Sequence, residues 1–303
     1  MLSAPFESHV LAKSGRQPEA KPEAKPDAKD DSDIDPAAVD AVKQMGAYLR
    51  SLKAFQLHEK QGWEPYVEEI RTAIAPGTKL VVVTNPHNPT GHVLGDAARK
   101  AILDRANEVG AWILADEVYQ GAEREGKTTE SFWSSGYKQL IIVNGLSKAY
   151  GLPGLRIGWI VSQPAFSQEA WARHDYTTIG PSGASDHLAA VALDPRVREK
   201  LIERTRRILH ANFPVMEAWL KSFGDTFSWT SPNAGAICWA RYRGAIPAQE
   251  IVEKLRAQHG VLLCPGDHFG MPGFLRFGYG GELQHFQEAL AETERGLRRL
   301  FSD

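Results

Sequence analysis

The sequence predicts an α/β protein: a three-layer α/β/α large domain built on a mostly parallel sheet, followed by a small α+β C-terminal domain. Three observations carry this reading. The apolar runs at 80–83 (LVVV), 112–115 (WILA) and 140–143 (LIIV) are the length of buried strands, and each empties into a polar stretch. Helical periodicity fills a gap between them, with Ile102, Leu103, Ala106 and Val109 on one face, and strand alternating with helix is the signature of parallel βαβ units. After residue 197 the pattern changes to short strands interleaved with helices. In an open α/β sheet the carboxyl ends of parallel strands form the ligand crevice, so Asn88, Asp116 and Lys148, just past the three runs, should face one pocket.

Taken in order, residues 1–36 are a Pro/Ala/charge repeat followed by several aspartates, with too little apolar area to offset the entropy of ordering, and are expected to be disordered. The first residues lack a sustained apolar segment, so no secretory signal is expected. From Pro36 a short helix carries Ala37, Val39, Ala41, Val42 and Met45 and stops at Gly46; a strand follows at 47–52. Residues 63–74 read as a helix with Tyr66, Val67, Ile70 and Ile74 on one face and Pro76-Gly77 as its stop. Asp96 is placed to cap the next helix, which Gly110 ends.

Beyond Lys148 lies a turn-rich loop, then a strand at 157–161. That strand starts beside the lysine, at the edge where the others finish, so it must run antiparallel to them. Helices are expected at 164–175 and 185–193, and residues 197–223 read as a helix pair or a bent helix entering the second domain. There, strands near 227–229, 236–240, 261–263 and 274–279 alternate with helices at 248–259 and 283–301. Phe286, Leu290, Leu297 and Phe301 form the last helix's buried stripe. The expected divisions are a disordered segment at 1–36, a large domain at 37–196 and a small domain at 197–303.

The formal charge of −2 leaves no basic footprint for nucleic acid or an anionic membrane. No apolar run approaches the roughly 20 residues needed to cross a bilayer. The only cysteines, Cys238 and Cys264, follow no disulfide pattern, which favours a reducing compartment and a cytoplasmic location. The ten histidines show no metal-binding spacing, so no metal is expected.

Lys148 is the central chemical residue. Ser147 precedes it, Arg156 stands eight positions on, and the surrounding run from Ser147 to Trp159 is apolar and glycine-rich, unlike the setting of an ordinary surface lysine. An amine so placed can form a Schiff base with an aldehyde cofactor. Three motifs make the point specific: Asn85-Pro86-His87-Asn88-Pro89-Thr90-Gly91, then Ala115-Asp116-Glu117-Val118-Tyr119, then Ser147-Lys148 with Gly154-Leu155-Arg156-Ile157-Gly158. In this order and at these separations the sequence resembles the class I/II aminotransferases of the fold type I pyridoxal phosphate family, over roughly residue 46 to the C-terminus.

The resemblance implies pyridoxal 5′-phosphate as cofactor, an α-amino acid and a 2-oxo acid as substrates, and a homodimer. Carried over residue by residue, Lys148 holds the cofactor and shuttles the proton, Asp116 keeps the pyridine nitrogen protonated, and Tyr119 and Asn88 bond the ring oxygen. Arg156 and Ser147 bind the phosphate, Arg276 clamps the substrate carboxylate, and Asn88 also contacts the substrate. Asn233 and Gly235 fall where the family brings a loop near that carboxylate. Gly145 stands three before the lysine, where many relatives have a hydroxyl donor. The family's long N-terminal portion, which supplies a phosphate cradle and a ring-stacking aromatic, has no counterpart in the sequence. Weakened cofactor binding and an uncovered sheet edge or apolar face are therefore expected. Elimination, cyclisation, decarboxylation, or an inactive or partner-dependent homologue are the alternatives to transamination.

Overall fold

The structure, a computed structural model, describes residues 62–302. The sequence-predicted segment at 1–36, helix from Pro36 to Gly46 and strand at 47–52 lie outside the described residues. The first element is a short helix, α1 (Val67–Ala73), followed by β1 (Leu80–Thr84), α2 (Asp96–Val109), β2 (Trp112–Asp116), β3 (Leu140–Gly145) and β4 (Gly158–Ser162). The four strands form one sheet in the order β1-β2-β3-β4. The first three are parallel and β4 is antiparallel to β3, as required by a strand that begins where its neighbour ends.

Alternation along these strands sends every second side chain to each face. Val81, Val83, Ile113, Ala115, Leu140 and Ile142 are buried beneath Ile70 of α1 and Ala98, Ala101, Ile102 and Ala106 of α2. On the opposite face, α3 (Pro164–His174) lays Phe166 over Trp112, with ring centroids 5.5 Å apart. Elsewhere on that face Ile141 is buried and Leu114 half-buried, while Leu80, Val82 and Ile160, at the two edge strands, are 41%, 55% and 47% exposed among the described residues.

Two helices follow, α4 (Gly183–Leu193) and α5 (Pro195–Lys221), and then β5 (Phe227–Trp229), β6 (Ile237–Tyr242), α6 (Ala248–His259), β7 (Cys264–Pro265), β8 (Phe274–Gly278) and α7 (Leu283–Ser302). The second sheet is antiparallel throughout, in the order β5-β6-β8-β7. Cys238, Ala240, Leu275 and Phe277 point into a core shared with Leu209, Phe213 and Met216 of α5, Ile251 and Leu255 of α6, and Phe286, Leu290 and Leu297 of α7. Trp239 and Arg276, paired in register, occupy the other face.

Several boundaries differ from expectation for physical reasons. The helix expected from Trp63 begins only at Val67. Trp63 has a left-handed φ of 73° and is buried against Phe274 of the second sheet, centroids 5.9 Å apart. Asp96 does not cap α2. The cap is Gly95, whose N–H donates to the Glu64 carboxylate at 3.1 Å, and Asp96 is the first helical residue. The long segment is one helix, started by Asp194, whose carboxylate accepts the Arg196 N–H at 3.0 Å, and it contains Pro214. The strand expected at 261–263 forms instead at Cys264–Pro265. No described helix is long and apolar enough to cross a membrane.

Candidate active site

The register places the ends of β1, β2 and β3 and the start of β4 at one sheet edge: Thr84 pairs with Asp116, Asp116 with Val143, and Gly145 with Gly158. Every residue assigned from the first three motifs leaves the sheet here. After β1 the Asn85 N–H donates to the Asp116 carbonyl at 3.0 Å, and the Asn85 side chain accepts from the Leu94 N–H at 3.0 Å. Gly91 closes the turn with φ 69°, and its carbonyl accepts the N–H groups of Asn233 and Ala234, both at 2.9 Å. A Cβ on Gly91 would stand 2.4 Å from the Pro232 side chain, so only glycine permits this approach. Asn88 is held at the crest of the turn. Its Oδ1 accepts a hydrogen bond from Arg276 Nη1 at 2.7 Å across 188 residues of sequence.

Asp116 ends β2 and accepts the Val118 N–H at 3.1 Å, which begins the turn that presents Tyr119. Burial pushes the Tyr119 phenol above the ordinary tyrosine range, while the Arg276 charge lowers it and the Asp116 charge raises it. The phenol therefore stands in the field of both groups. Glu117, between them, points the other way: it is buried and accepts the Phe132 N–H at 2.7 Å, and desolvation raises its carboxyl.

The loop carrying Ser147 and Lys148 is pinned on three sides. Leu146 N–H donates to the Ile157 carbonyl at 3.0 Å, Leu152 N–H to the Leu146 carbonyl at 2.9 Å, and Ala149 N–H to the Val118 carbonyl at 3.2 Å. The last bond ties the lysine loop to the Tyr119 turn. Lys148 is exposed and Ser147 half-buried. Gly145 sits where β3 and β4 approach closely: a Cβ there would lie 2.9 Å from the Ile157 carbonyl oxygen, so this spacing favours glycine. Arg156 takes a left-handed φ of 55° and donates to the Pro153 carbonyl at 3.0 Å, which leaves its exposed guanidinium at the same edge as the lysine.

The structure thus brings Asn88 and Arg276 into direct contact, places Tyr119 under the influence of Asp116 and Arg276, and joins the lysine loop to the Tyr119 turn. Among the described residues no hydrogen bond joins Lys148 directly to Asp116. Asn233 and Gly235 bond the turns around the site: the Asn233 carbonyl accepts the Arg124 N–H at 2.7 Å, and the Gly235 N–H donates to the Ala122 carbonyl at 2.8 Å. Sequence reasoning missed Glu117, Glu123 and Tyr279. Glu123 is buried, pairs with Arg206 at 2.7 Å and accepts the Thr129 N–H at 2.8 Å, which braces the Tyr119 turn. Its partner is 83 residues away, so no local spacing marks it.

The donor set suits a phosphorylated pyridine aldehyde. One edge offers an amine, a carboxylate, a phenol, an amide and a guanidinium, and Gly235, without a side chain, leaves room for the Tyr119 ring beside it. An α/β sheet with this edge and a second antiparallel sheet supplying Arg276 defines the class of fold type I pyridoxal phosphate proteins. The chain belongs to the aminotransferase class I and II family, which it matches over residues 44–292.

It is 30% identical over 257 residues to capreomycidine synthase of Streptomyces vinaceus, covering 82% of this chain and 62% of that protein. The crystal structure of a PLP-dependent aminotransferase from Streptococcus suis superposes with a TM-score of 0.74 at 32% identity, covering 82% of this chain and 64% of that one. The PLP-dependent cyclase OrfR superposes with a TM-score of 0.71 at 28% identity, covering 78% and 63%. The chain therefore spans a little under two thirds of the length of these relatives. Members of the family work with pyridoxal 5′-phosphate.

Proposed function

We propose that the chain carries the chemistry of an aminotransferase, moving an amino group between an α-amino acid and a 2-oxo acid. The observation that carries the reading is the Asn88–Arg276 bond. It brings a guanidinium from the second sheet to the edge where Lys148, Asp116 and Tyr119 leave the first. When bound, pyridoxal phosphate supplies an electron sink for the pair released as a bond to the substrate Cα breaks. Lys148 is the amine that would hold the cofactor and afterwards take the proton from Cα. Asp116 would keep the pyridine nitrogen protonated, and Tyr119 and Asn88 would bond the ring oxygen. Arg156 and Ser147 would bind the phosphate, and Arg276 would clamp the substrate carboxylate with its planar fork.

The second reading is a cyclisation or elimination at the same site. It is favoured by the names of two relatives, a capreomycidine synthase and a cyclase. Both readings use the same residues and differ in which bond to Cα breaks and in the product released.

Adding pyridoxal phosphate to purified protein should produce a visible absorption band that Lys148→Ala abolishes; a band unaffected by that substitution sinks both readings. Incubation of the loaded protein with amino acids, without any 2-oxo acid, separates them. Stoichiometric conversion to the pyridoxamine form supports transamination, and catalytic release of ammonia or a cyclised product supports the alternative.

A further inference from the structure

Tyr279 has no role in the proposed reaction. It comes directly after β8, its side chain is fully buried, and its hydroxyl donates to the Gly235 carbonyl at 2.7 Å. Its N–H bonds the Ala236 carbonyl at 2.9 Å. Asn212, a buried amide on α5, donates to the carbonyls of Tyr279 and Gly281, both at 2.8 Å. Polar groups at this depth are costly unless bonded, so the network favours one position of the 235 carbonyl.

Gly235 is in turn stitched to the turn that presents Tyr119. The Gly235 N–H bonds the Ala122 carbonyl, the Ala122 N–H bonds the Tyr119 carbonyl at 2.9 Å, and Glu123 forms an isolated antiparallel bridge with Ala234. Gly235 has φ 76°, and a Cβ there would stand 3.3 Å from Tyr119 Cδ1 and 3.6 Å from Cε1. The Tyr119 ring therefore lies against the backbone that the Tyr279 hydroxyl holds.

We propose that Tyr279 is a positioning residue for Tyr119: through the Gly235 carbonyl it fixes the plane of the Tyr119 ring, and so the place where the phenol oxygen meets the ring oxygen of the cofactor. This rests on the reading in which Tyr119 touches the cofactor. A tyrosine that merely fills the core, here with Phe213 at a centroid distance of 5.6 Å, differs in one respect: phenylalanine would serve as well.

The test compares Tyr279→Phe in the full chain with the same substitution in a Tyr119→Phe background. The first readout uses cofactor-free protein: the titration of Tyr119 by NMR of carbon-labelled tyrosine, its signal assigned by its loss in Tyr119→Phe. Asp116 and Arg276, the charged groups acting on the phenol, are left intact. Releasing the ring exposes it to water, so in Tyr279→Phe the titration should move down toward the ordinary tyrosine value. The second readout is pyridoxal phosphate affinity by absorption, expected to weaken by up to about tenfold, the scale of one neutral hydrogen bond. That loss should vanish in the Tyr119→Phe background.

An unmoved titration, or an affinity loss as large without the Tyr119 hydroxyl as with it, overturns the proposal. Gly235→Ala, if circular dichroism shows it folded, should move the same titration the same way, and an unmoved value counts against the idea; if it does not fold, Tyr279→Phe decides. Should Lys148→Ala leave the cofactor spectrum unchanged, the cofactor assignment fails, while the titration in cofactor-free protein still decides whether Tyr279 positions Tyr119.

Discussion

Replacing Asn88 tests the contact that joins the two sheets at the site. Asn88 Oδ1 is the acceptor for Arg276 Nη1 at 2.7 Å, and the guanidinium lies half-buried, 5.6 Å from the centre of the Phe269 ring. Asn88→Ala removes the acceptor and leaves a charged donor in a partly desolvated place. A hydrogen bond to a charged group contributes about 1.5–3 kcal/mol, and water can reach this one in part, so the lower end, about 1.5 kcal/mol, is expected. With a urea m-value of about 3 kcal/mol/M for a chain of this size, the unfolding midpoint should fall by about 0.5 M. Asn88→Asp should behave oppositely. Its carboxylate can pair with Arg276 and recover the midpoint, but it then occupies the guanidinium that the proposed substrate carboxylate needs, and carboxylate affinity should drop at least about tenfold. Equilibrium unfolding and a carboxylate titration read the two effects separately. If Asp and Ala lower the midpoint equally, or if Asn88→Asp binds carboxylates as the parent does, Arg276 is not held in the way described.

Three further outcomes rest on the geometry. Glu123→Ala should cost about 3–5 kcal/mol in urea unfolding, because the buried carboxylate is the acceptor for Arg206 at 2.7 Å and for the Gly121 and Thr129 amides; adding Arg206→Met should recover part of that, and a loss below about 1 kcal/mol would contradict the burial. Burial, and secondarily His92, hold the His87 imidazole down at about 4, against an ordinary value of 6.5. The unfolded chain therefore binds the extra proton first, so stability present above pH 6.5 should be lost as pH falls to 4, by about 3 kcal/mol in all. His87→Gln should flatten that slope in urea midpoints measured across the window. Desolvation pushes the buried Cys238 thiol up to about 12, whereas Cys264 is half-buried. A thiol reagent should therefore titrate one cysteine in native protein and two in urea, and two fast native thiols would refute the packing of β6.

What the sequence made legible depended on whether the signal was local. The three apolar runs ending in Asn88, Asp116 and Lys148 carry both strand length and turn chemistry, so the sheet and its polar edge could be read without contacts. The direction of β4 came from where Lys148 stands. Trp63 failed because its burial comes from Phe274, more than two hundred residues later, and that contact outweighs the helical pattern of the residues after it. The α2 cap failed for the same reason: Asp96 looked sufficient, yet Glu64 supplies the acceptor from a distant turn. Tyr279 and Asn212 were invisible because each works through a backbone carbonyl of another segment, and a carbonyl leaves no mark in a sequence.

The antiparallel fourth strand is what makes so short a spacing between Lys148 and Arg156 useful. Had the chain after β3 crossed over to a parallel neighbour, it would have needed a connection of about a dozen residues or more, and the next strand would have begun at the far edge of the sheet. Reversal instead keeps residues 146–157 at the edge where the parallel strands end, with the Leu146 N–H bonded to the Ile157 carbonyl and Gly145 opposite Gly158. The two glycines allow the strands to meet at that point, since a Cβ on Gly145 would come within 2.9 Å of the Ile157 oxygen. A bulkier residue at 145 would push β4 away from β3 at the point where the loop carrying Lys148 and Arg156 leaves and rejoins the sheet. The glycine at position 145 is thus tied to the closeness of β3 and β4, and Gly145→Ser should weaken pyridoxal phosphate binding rather than strengthen it; tighter binding, measured by absorption titration, would show that an added hydroxyl donor matters more than the strand spacing.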